Sequence, residues 1–279
     1  STSATSLPPQ KLMERCCRTP WVSYLPPFRM APGVYYVSGN DWVACYLIDT
    51  GAGLILIDTA MHETCYLMLE CIRSLGYDPM DIKKILLTHA HADHIGAART
   101  MKELTGARVY LGERDLFMIH ERKDLICSDG YTCGDIEPDE IYLDDKPIVQ
   151  GNVSVRTIST PGHTPGCTSM IFDVKEKDGR IYTCGIHGGV GLNTLSREFL
   201  EQNGLPLSLQ KEFCESLRMM DRLHVDICLP SHTNQVGIIP LIGEITDTHN
   251  PFVDESIWHE LMHERLDRME ALIRSVPLL

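Results

Sequence analysis

Apolar residues fall in short runs broken by Gly, Pro and Asp, and the runs alternate between two periods. Val34-Tyr35-Tyr36-Val37, Val43 to Ile48 and Leu54 to Ile57 predict three short strands, the last two joined by the tight turn Asp49-Thr50-Gly51-Ala52-Gly53. His62 to Leu75 has helical spacing and stops at Gly76. Ile82 to Leu87 predicts a buried strand, then a helix through Leu104 stopped by Gly106, then a strand at Val109 to Leu111. Residues 112 to 140 read as a helix and a polar loop. The second half predicts strands near 153–158, 168–174 and 180–184, with Lys175-Glu176-Lys177-Asp178-Gly179 as a hairpin link. A helix from Ser208 to Leu223, a strand from Val225 to Leu229 and a last helix from Asp254 to Ser275 complete the order. Helices alternate with strands in both halves, without a sequence repeat. This is an α/β pattern, and it predicts two sheets packed together with helices outside.

Composition excludes several partners. The 279 residues are 43% hydrophobic and 23% charged, with a formal net charge of −13. That charge disfavours nonspecific binding to nucleic acid or anionic lipid, and no apolar run approaches the roughly 18 residues of a membrane span. The expected partner is a small-molecule substrate, with neither nucleic acid nor membrane. The opening Ser1-Thr2-Ser3-Ala4-Thr5-Ser6-Leu7-Pro8-Pro9 lacks a charged-then-apolar leader pattern. The eleven cysteines form no CxxC, which leaves a thiolate zinc knuckle or thioredoxin-type motif unsupported. Cys16-Cys17, or Cys127 with Cys133, could pair in an oxidising space. Buried free thiols are the favoured reading and imply a cytoplasmic home, with a periplasmic or secreted one the alternative if a leader has been removed.

Chemistry concentrates at Thr88-His89-Ala90-His91-Ala92-Asp93-His94, directly after the apolar run Ile85-Leu86-Leu87. Three imidazoles and a carboxylate are delivered together at a sheet rim. His89 and His91, two apart in extended chain, point the same way, and neutral imidazole and carboxylate are ligands that catalytic zinc sites use. His163, in Thr160-Pro161-Gly162-His163-Thr164-Pro165-Gly166, and His232, in Leu229-Pro230-Ser231-His232, also follow predicted strands. Either alone reads as a turn residue; beside the cluster both become ligand candidates.

HxHxDH, PGHTPG and the late strand-end His resemble the metallo-β-lactamase superfamily over roughly residues 33 to 235. The resemblance implies a four-layer αβ/βα sandwich, expected as a single domain over 1–279 with residues 1–30 an N-terminal extension. It implies two Zn²⁺ ions, His89, His91 and His163 holding one and Asp93, His94 and His232 the other, with a shared hydroxide as nucleophile. Asp93 would also be catalytic, orienting that nucleophile. Many members carry a bridging Asp, and some lactamases a Cys, where this chain aligns Ile186, which cannot ligate. The third lactamase subclass, with an Asp-His-His second site, also lacks a ligand there. The flanks resemble that subclass too: Pro27-Phe28-Arg29-Met30-Ala31-Pro32-Gly33, Gly76-Tyr77-Asp78-Pro79 and Asn250-Pro251-Phe252-Val253-Asp254.

The segment His187-Gly188-Gly189-Val190-Gly191 departs from that subclass, where a Ser-rich stretch is usual. Its glycines could let backbone approach a ligand closely, and His187 is a candidate substrate contact, with a flexible loop and a solvated His the alternative. Cys184 reads as a buried strand residue, and Thr88 as a possible hydrogen-bonding support for a ligand. His62, His120, His224, His249, His259 and His263 lack strand-end context and read as surface or helix residues. The implied function is zinc-dependent opening of a β-lactam or related cyclic amide. The alternatives are a lactonase, thioesterase or other small-ester hydrolase of the superfamily, and a non-hydrolytic metal- and ligand-binding member.

Overall fold

The computed structural model describes residues 7–126 and 133–275. Twelve strands are β1 (Phe28–Ala31), β2 (Val34–Tyr36), β3 (Tyr46–Asp49), β4 (Leu54–Ile57), β5 (Ile82–Leu86), β6 (Arg108–Leu111), β7 (Glu140–Ile141), β8 (Ile148–Gln150), β9 (Val153–Ser159), β10 (Thr168–Lys175), β11 (Ile181–Ile186) and β12 (Ile227–Cys228). The helices are α1 (Pro9–Arg18), α2 (Cys65–Ser74), α3 (Ala92–Ile95), α4 (Ala98–Thr105), α5 (Leu116–His120), α6 (Arg197–Gln202), α7 (Ser208–Met220), α8 (Ile238–Leu241) and α9 (Glu255–Arg274). Strands β1 to β7 form one sheet in sequence order, and the second sheet runs β12-β11-β10-β9-β8.

Alternation along the strands builds the layers. In β3 and β4, Tyr46, Ile48, Ile55 and Ile57 face the second sheet, where they meet Met170, Phe172 and Val155. Their neighbours Leu47, Leu54 and Leu56 face outward, onto Met68, Ile72 and Met101 of α2 and α4. The outer face of the second sheet is covered by Phe213 and Leu217 of α7 and Trp258 and Leu261 of α9. A two-residue side-chain period gives each sheet two apolar faces, so the product is a four-layer αβ/βα sandwich, as the sequence predicts. No helix among the described residues is long and apolar enough to cross a membrane.

Several boundaries move. The strand expected from Val43 starts at Tyr46, and Val43 instead bridges to His232. The expected strand at 225–229 shrinks to Ile227–Cys228. Residues 7–30, expected as an extension, are built into the fold. Leu12 and Cys16 of α1 are buried in the cluster beneath the first sheet, Arg15 is paired with Asp41, and β1 is an edge strand. Cys16, with its Sγ facing Asn40, is a free buried thiol, as are Cys45, Cys65, Cys71, Cys167, Cys184, Cys214 and Cys228. The pairing of Cys127 with Cys133 lies outside the described residues, because Cys127 is not among them.

Candidate metal centre

Two ligand-type groups meet at one rim of the sandwich: His89, His91 and His163, and beside them Asp93, His94 and His232. Within each group the ligating atoms lie within 4.8 Å of one another. His89 and His91 leave the end of β5, and Asp93 and His94 sit in the single turn of α3. His163 comes from the loop after β9, and His232 follows β12, where the Val43 bridge and Trp42, 4.9 Å away ring to ring, hold it. His91 Nδ1 lies 3.0 Å from His163 Nε2, and His94 Nε2 3.3 Å from His232 Nε2. Asp93 Oδ2 is 3.6 Å from His94 Nε2 and 3.5 Å from His232 Nε2. Nitrogens bound at about 2.05 Å in a tetrahedron would sit about 3.3 Å apart, so this spacing fits a shared cation.

The outward nitrogens set the inward ones. His89 Nδ1 donates to the Gly188 carbonyl at 2.8 Å, His163 Nδ1 to the Gly191 carbonyl at 2.9 Å, and His94 Nδ1 to Asp58 Oδ2 at 2.8 Å. Each bond places the proton outside and leaves a bare lone pair at Nε2. His89 Nε2 is buried with no partner in the protein, the state a ligand nitrogen has before it meets a metal. Burial, then the neighbouring imidazoles, lowers the proton affinity of His89 well below the ordinary value. Burial chiefly takes His91 and His232 down to about 3 and His163 to about 4. For His94, burial opposes the charge, but Asp93 and Asp58 outweigh it and the net shift is upward. Four of the five imidazoles are therefore neutral donors at pH 7. The donor set fits a borderline-soft divalent cation such as zinc.

Two carboxylates, neither signalled by the histidine motifs, hold these loops. Asp58 follows β4 with φ of +58°, a left-handed conformation unusual for a residue with a Cβ. It accepts from the Thr88 amide and hydroxyl, both at 2.8 Å, besides His94. Thr88 Oγ1 also lies 3.0 Å from His89 Nδ1, the supporting role the sequence left open. Asp115 is fully buried and accepts from Ala90 N at 2.9 Å, Thr164 Oγ1 at 2.7 Å and Gly166 N at 2.6 Å. It ties the HxHxDH loop to the PGHTPG loop, and burial pushes its carboxyl up to about 6 against those three bonds. The clue in sequence was an Asp at the end of an apolar strand and another directly before the apolar run Leu116-Phe117-Met118-Ile119.

His187 does not reach the pocket. It is 3% exposed, its Nδ1 accepts from the Gly189 amide at 3.2 Å, and its ring stands edge-on to Phe213 of α7. Because β11 ends at Ile186 with that side chain between the sheets, His187 faces the outer layer. The sequence expectation of a substrate contact is corrected accordingly. The glycines instead pack against a ligand histidine: a Cβ on Gly189 would stand 2.8 Å from His163 Cδ2, and one on Gly191 2.8 Å from His163 Cε1. Cys184 is buried between the sheets and away from the site. His259 and His263 are not simply solvated; both pair with Asp221, at 2.8 and 3.0 Å.

The two groups open into a cavity of about 430 Å³. Its walls include Pro9, Gln10 and Met13 of α1, Trp42, Asp124, Leu125 and Ile126, Gly189, Val190, Gly191 and Asn193, Asn234 and Gln235, and Arg265 of α9.

Fold and site together define a class. The fold and site are those of the metallo-β-lactamase superfamily, whose sequence profile matches residues 41–176. Among solved structures it is similar to the subclass B3 metallo-β-lactamase BJP-1 of Bradyrhizobium japonicum, at 26% identity and a TM-score of 0.82, covering 92% of this chain and 97% of that one. Among curated proteins it is similar to the uncharacterized protein YobT of Bacillus subtilis, at 32% identity over 135 residues, 46% of this chain and 56% of that one. An N-acyl homoserine lactonase of a Bacillus species is 27% identical over 165 residues, 50% of this chain and 61% of that one. The chain thus spans little more than half the length of these curated relatives.

Proposed function

We propose that this chain is a metallo-hydrolase of small cyclic acyl compounds, holding two zinc ions and opening a β-lactam or a related cyclic amide. The observation that carries the reading is the pairing of a tri-histidine group with an Asp-His-His group, while Ile186 is buried in the core and no bridging side chain enters from β11. His89, His91 and His163 would hold one ion, and Asp93, His94 and His232 the other. Bound zinc supplies Lewis acidity, polarising an acyl carbonyl and bringing a water to nucleophilic strength near neutral pH.

The chain's own groups do the remaining work. The Asp93 side chain, 19% exposed, is the one carboxylate of the two groups and faces the cavity, where it can accept a hydrogen bond from the attacking water and orient it. Trp42, Leu125 and Ile126 present apolar walls that displace solvent from the acyl ring. Asn193 and Asn234 offer amides to its polar substituents.

Lactone hydrolysis is the second reading. It is supported by the likeness to the lactonase and by the glycine segment at 188–191, which brings no hydroxyl to the wall. Zinc-reconstituted protein should be assayed against a chromogenic cephalosporin, a panel of lactones and a panel of thioesters. Cephalosporin turnover lost in His89→Ala and Asp93→Ala supports the first reading. Rapid lactone turnover with none on any β-lactam selects the second.

A further inference from the structure

α9 buries Trp258, Leu261, Met262 and Met269 against the second sheet. These positions trace the i, i+3, i+4, i+11 stripe of a core-facing helix, and position i+7 on that stripe calls for another apolar residue. It is Arg265. Its side chain is 14% exposed and lines the cavity of the metal centre. Its Nε is buried and lies 2.9 Å from a Glu264 carboxylate oxygen without forming a hydrogen bond to it. Glu264 itself is half-exposed and also pairs with Arg268. No hydrogen bond from the guanidinium to the protein is formed among the described residues.

An arginine drawn out of water with its donors unspent is costly to the folded state. Glu264, itself half-exposed, offsets part of the charge but leaves the Nε donor unspent. Of the two acidic residues that line the cavity among the described residues, Asp93 belongs to the metal centre, and Asp124 is engaged by Arg122 through three hydrogen bonds. Among the described residues, Arg265 is the one Lys or Arg on the wall. In a chain with a net charge of −13, a guanidinium on the cavity wall is a local point of attraction for an anionic small molecule. A guanidinium offers a planar fork that matches a carboxylate. A single planar cation suits a monoanionic carboxylate better than a phosphate.

We infer that Arg265 is the anion anchor of the cavity, and that the substrate carries a carboxylate which this residue grips while the acyl group lies over the histidines. This deepens the hydrolase reading and rests on it for the identity of the acyl group, but the anion preference can be measured apart from turnover. Zinc-loaded full-length protein is titrated calorimetrically with phenylacetate and with its neutral isostere phenylacetamide. In parallel, initial rates are measured on a chromogenic cephalosporin as free acid and as methyl ester. In Arg265→Gln the affinity for phenylacetate should fall about tenfold and KM for the free acid should rise about tenfold. Phenylacetamide binding, ester kinetics and zinc content should not change. Arg265→Lys should recover part of the loss. The melting temperature of Arg265→Gln should hold, because the ion pair lost to half-exposed Glu264 contributes little and a buried donor without a hydrogen-bond partner goes with it; a residue that merely packs α9 would lower it. Absence of turnover on acid and ester alike would sink the hydrolase reading and leave the titration intact. A parent with no preference for phenylacetate, or an Arg265→Gln that keeps it, overturns the anchor.

Discussion

The two ligand groups lie side by side yet are held by different means. In the tri-histidine group, His89 and His163 lean on the backbone carbonyls of Gly188 and Gly191, which no substitution of a side chain removes directly. In the Asp-His-His group, His94 leans on the Asp58 carboxylate, His232 has a buried Nδ1 with no partner, and Asp93 is part-exposed. Neutral carbonyls fix a tautomer and leave the inward charge balance alone; a carboxylate also raises the basicity of the ring it holds. The first group is the more rigid, the second the more tunable.

Removing a ligand gives the largest effect. His163→Ala should bring turnover to background and cost at least one bound zinc. His232→Ala should leave the tri-histidine group loaded, as metal analysis after dialysis will read. Equal losses in the two variants would erase the distinction. Next comes chelator titration of the parent. It should begin near two equivalents of zinc and release them in two stages, the Asp-His-His ion first, since no bridging side chain ties the ions together. One cooperative stage would mean that the groups act as a unit.

The supporting carboxylates come next. Asp58→Asn should weaken zinc binding roughly 10- to 100-fold, with the early chelator stage moving and the late one holding. Asp115→Ala strands three donors at once and should cost about 3 kcal/mol of stability, seen as a fall in the unfolding midpoint with both stages disturbed. The smallest effect concerns His187, which burial takes down to about 3 from an ordinary 6.5. A histidine with a depressed folded pKa contributes stability that is present above 6.5 and lost as pH falls toward the folded value. Between pH 6.5 and about pH 5 that loss is about 1.5 kcal/mol. His187→Asn should flatten this part of the stability profile of the zinc-loaded protein and leave KM unchanged; a shifted KM would return His187 to the pocket wall.

What the sequence disclosed follows the same division. His89, His91, Asp93, His94 and His163 were legible because short-range spacing alone delivers them to a strand end or a Pro-Gly loop. His232 needed only a preceding strand. Asp58, Asp115 and Arg265 were opaque because their roles depend on partners 30, 25 and many more residues away. Arg265 in particular sits in Met262-His263-Glu264-Arg265-Leu266-Asp267-Arg268, which reads as a solvated charged face until the apolar stripe of α9 is traced. α1 was missed for a related reason. The segment is amphipathic but mostly polar, and Leu12 and Cys16 are recognisable as core only once they are packed against the first sheet.

The close fit of Gly189 and Gly191 around the His163 imidazole also limits how this protein can be remodelled. Any larger residue at either position drives a methyl group to 2.8 Å from a ring that must hold its angle, so this wall is closed to mutational exploration. New substrate preferences, whether arising in nature or in a directed library, have to enter from the opposite side, through Gln10 and Met13 of α1, Asn234, Gln235 and Arg265. The side of the cavity that can vary is the one that does not touch the tri-histidine group, and that separation allows specificity to drift without first dismantling the chemistry.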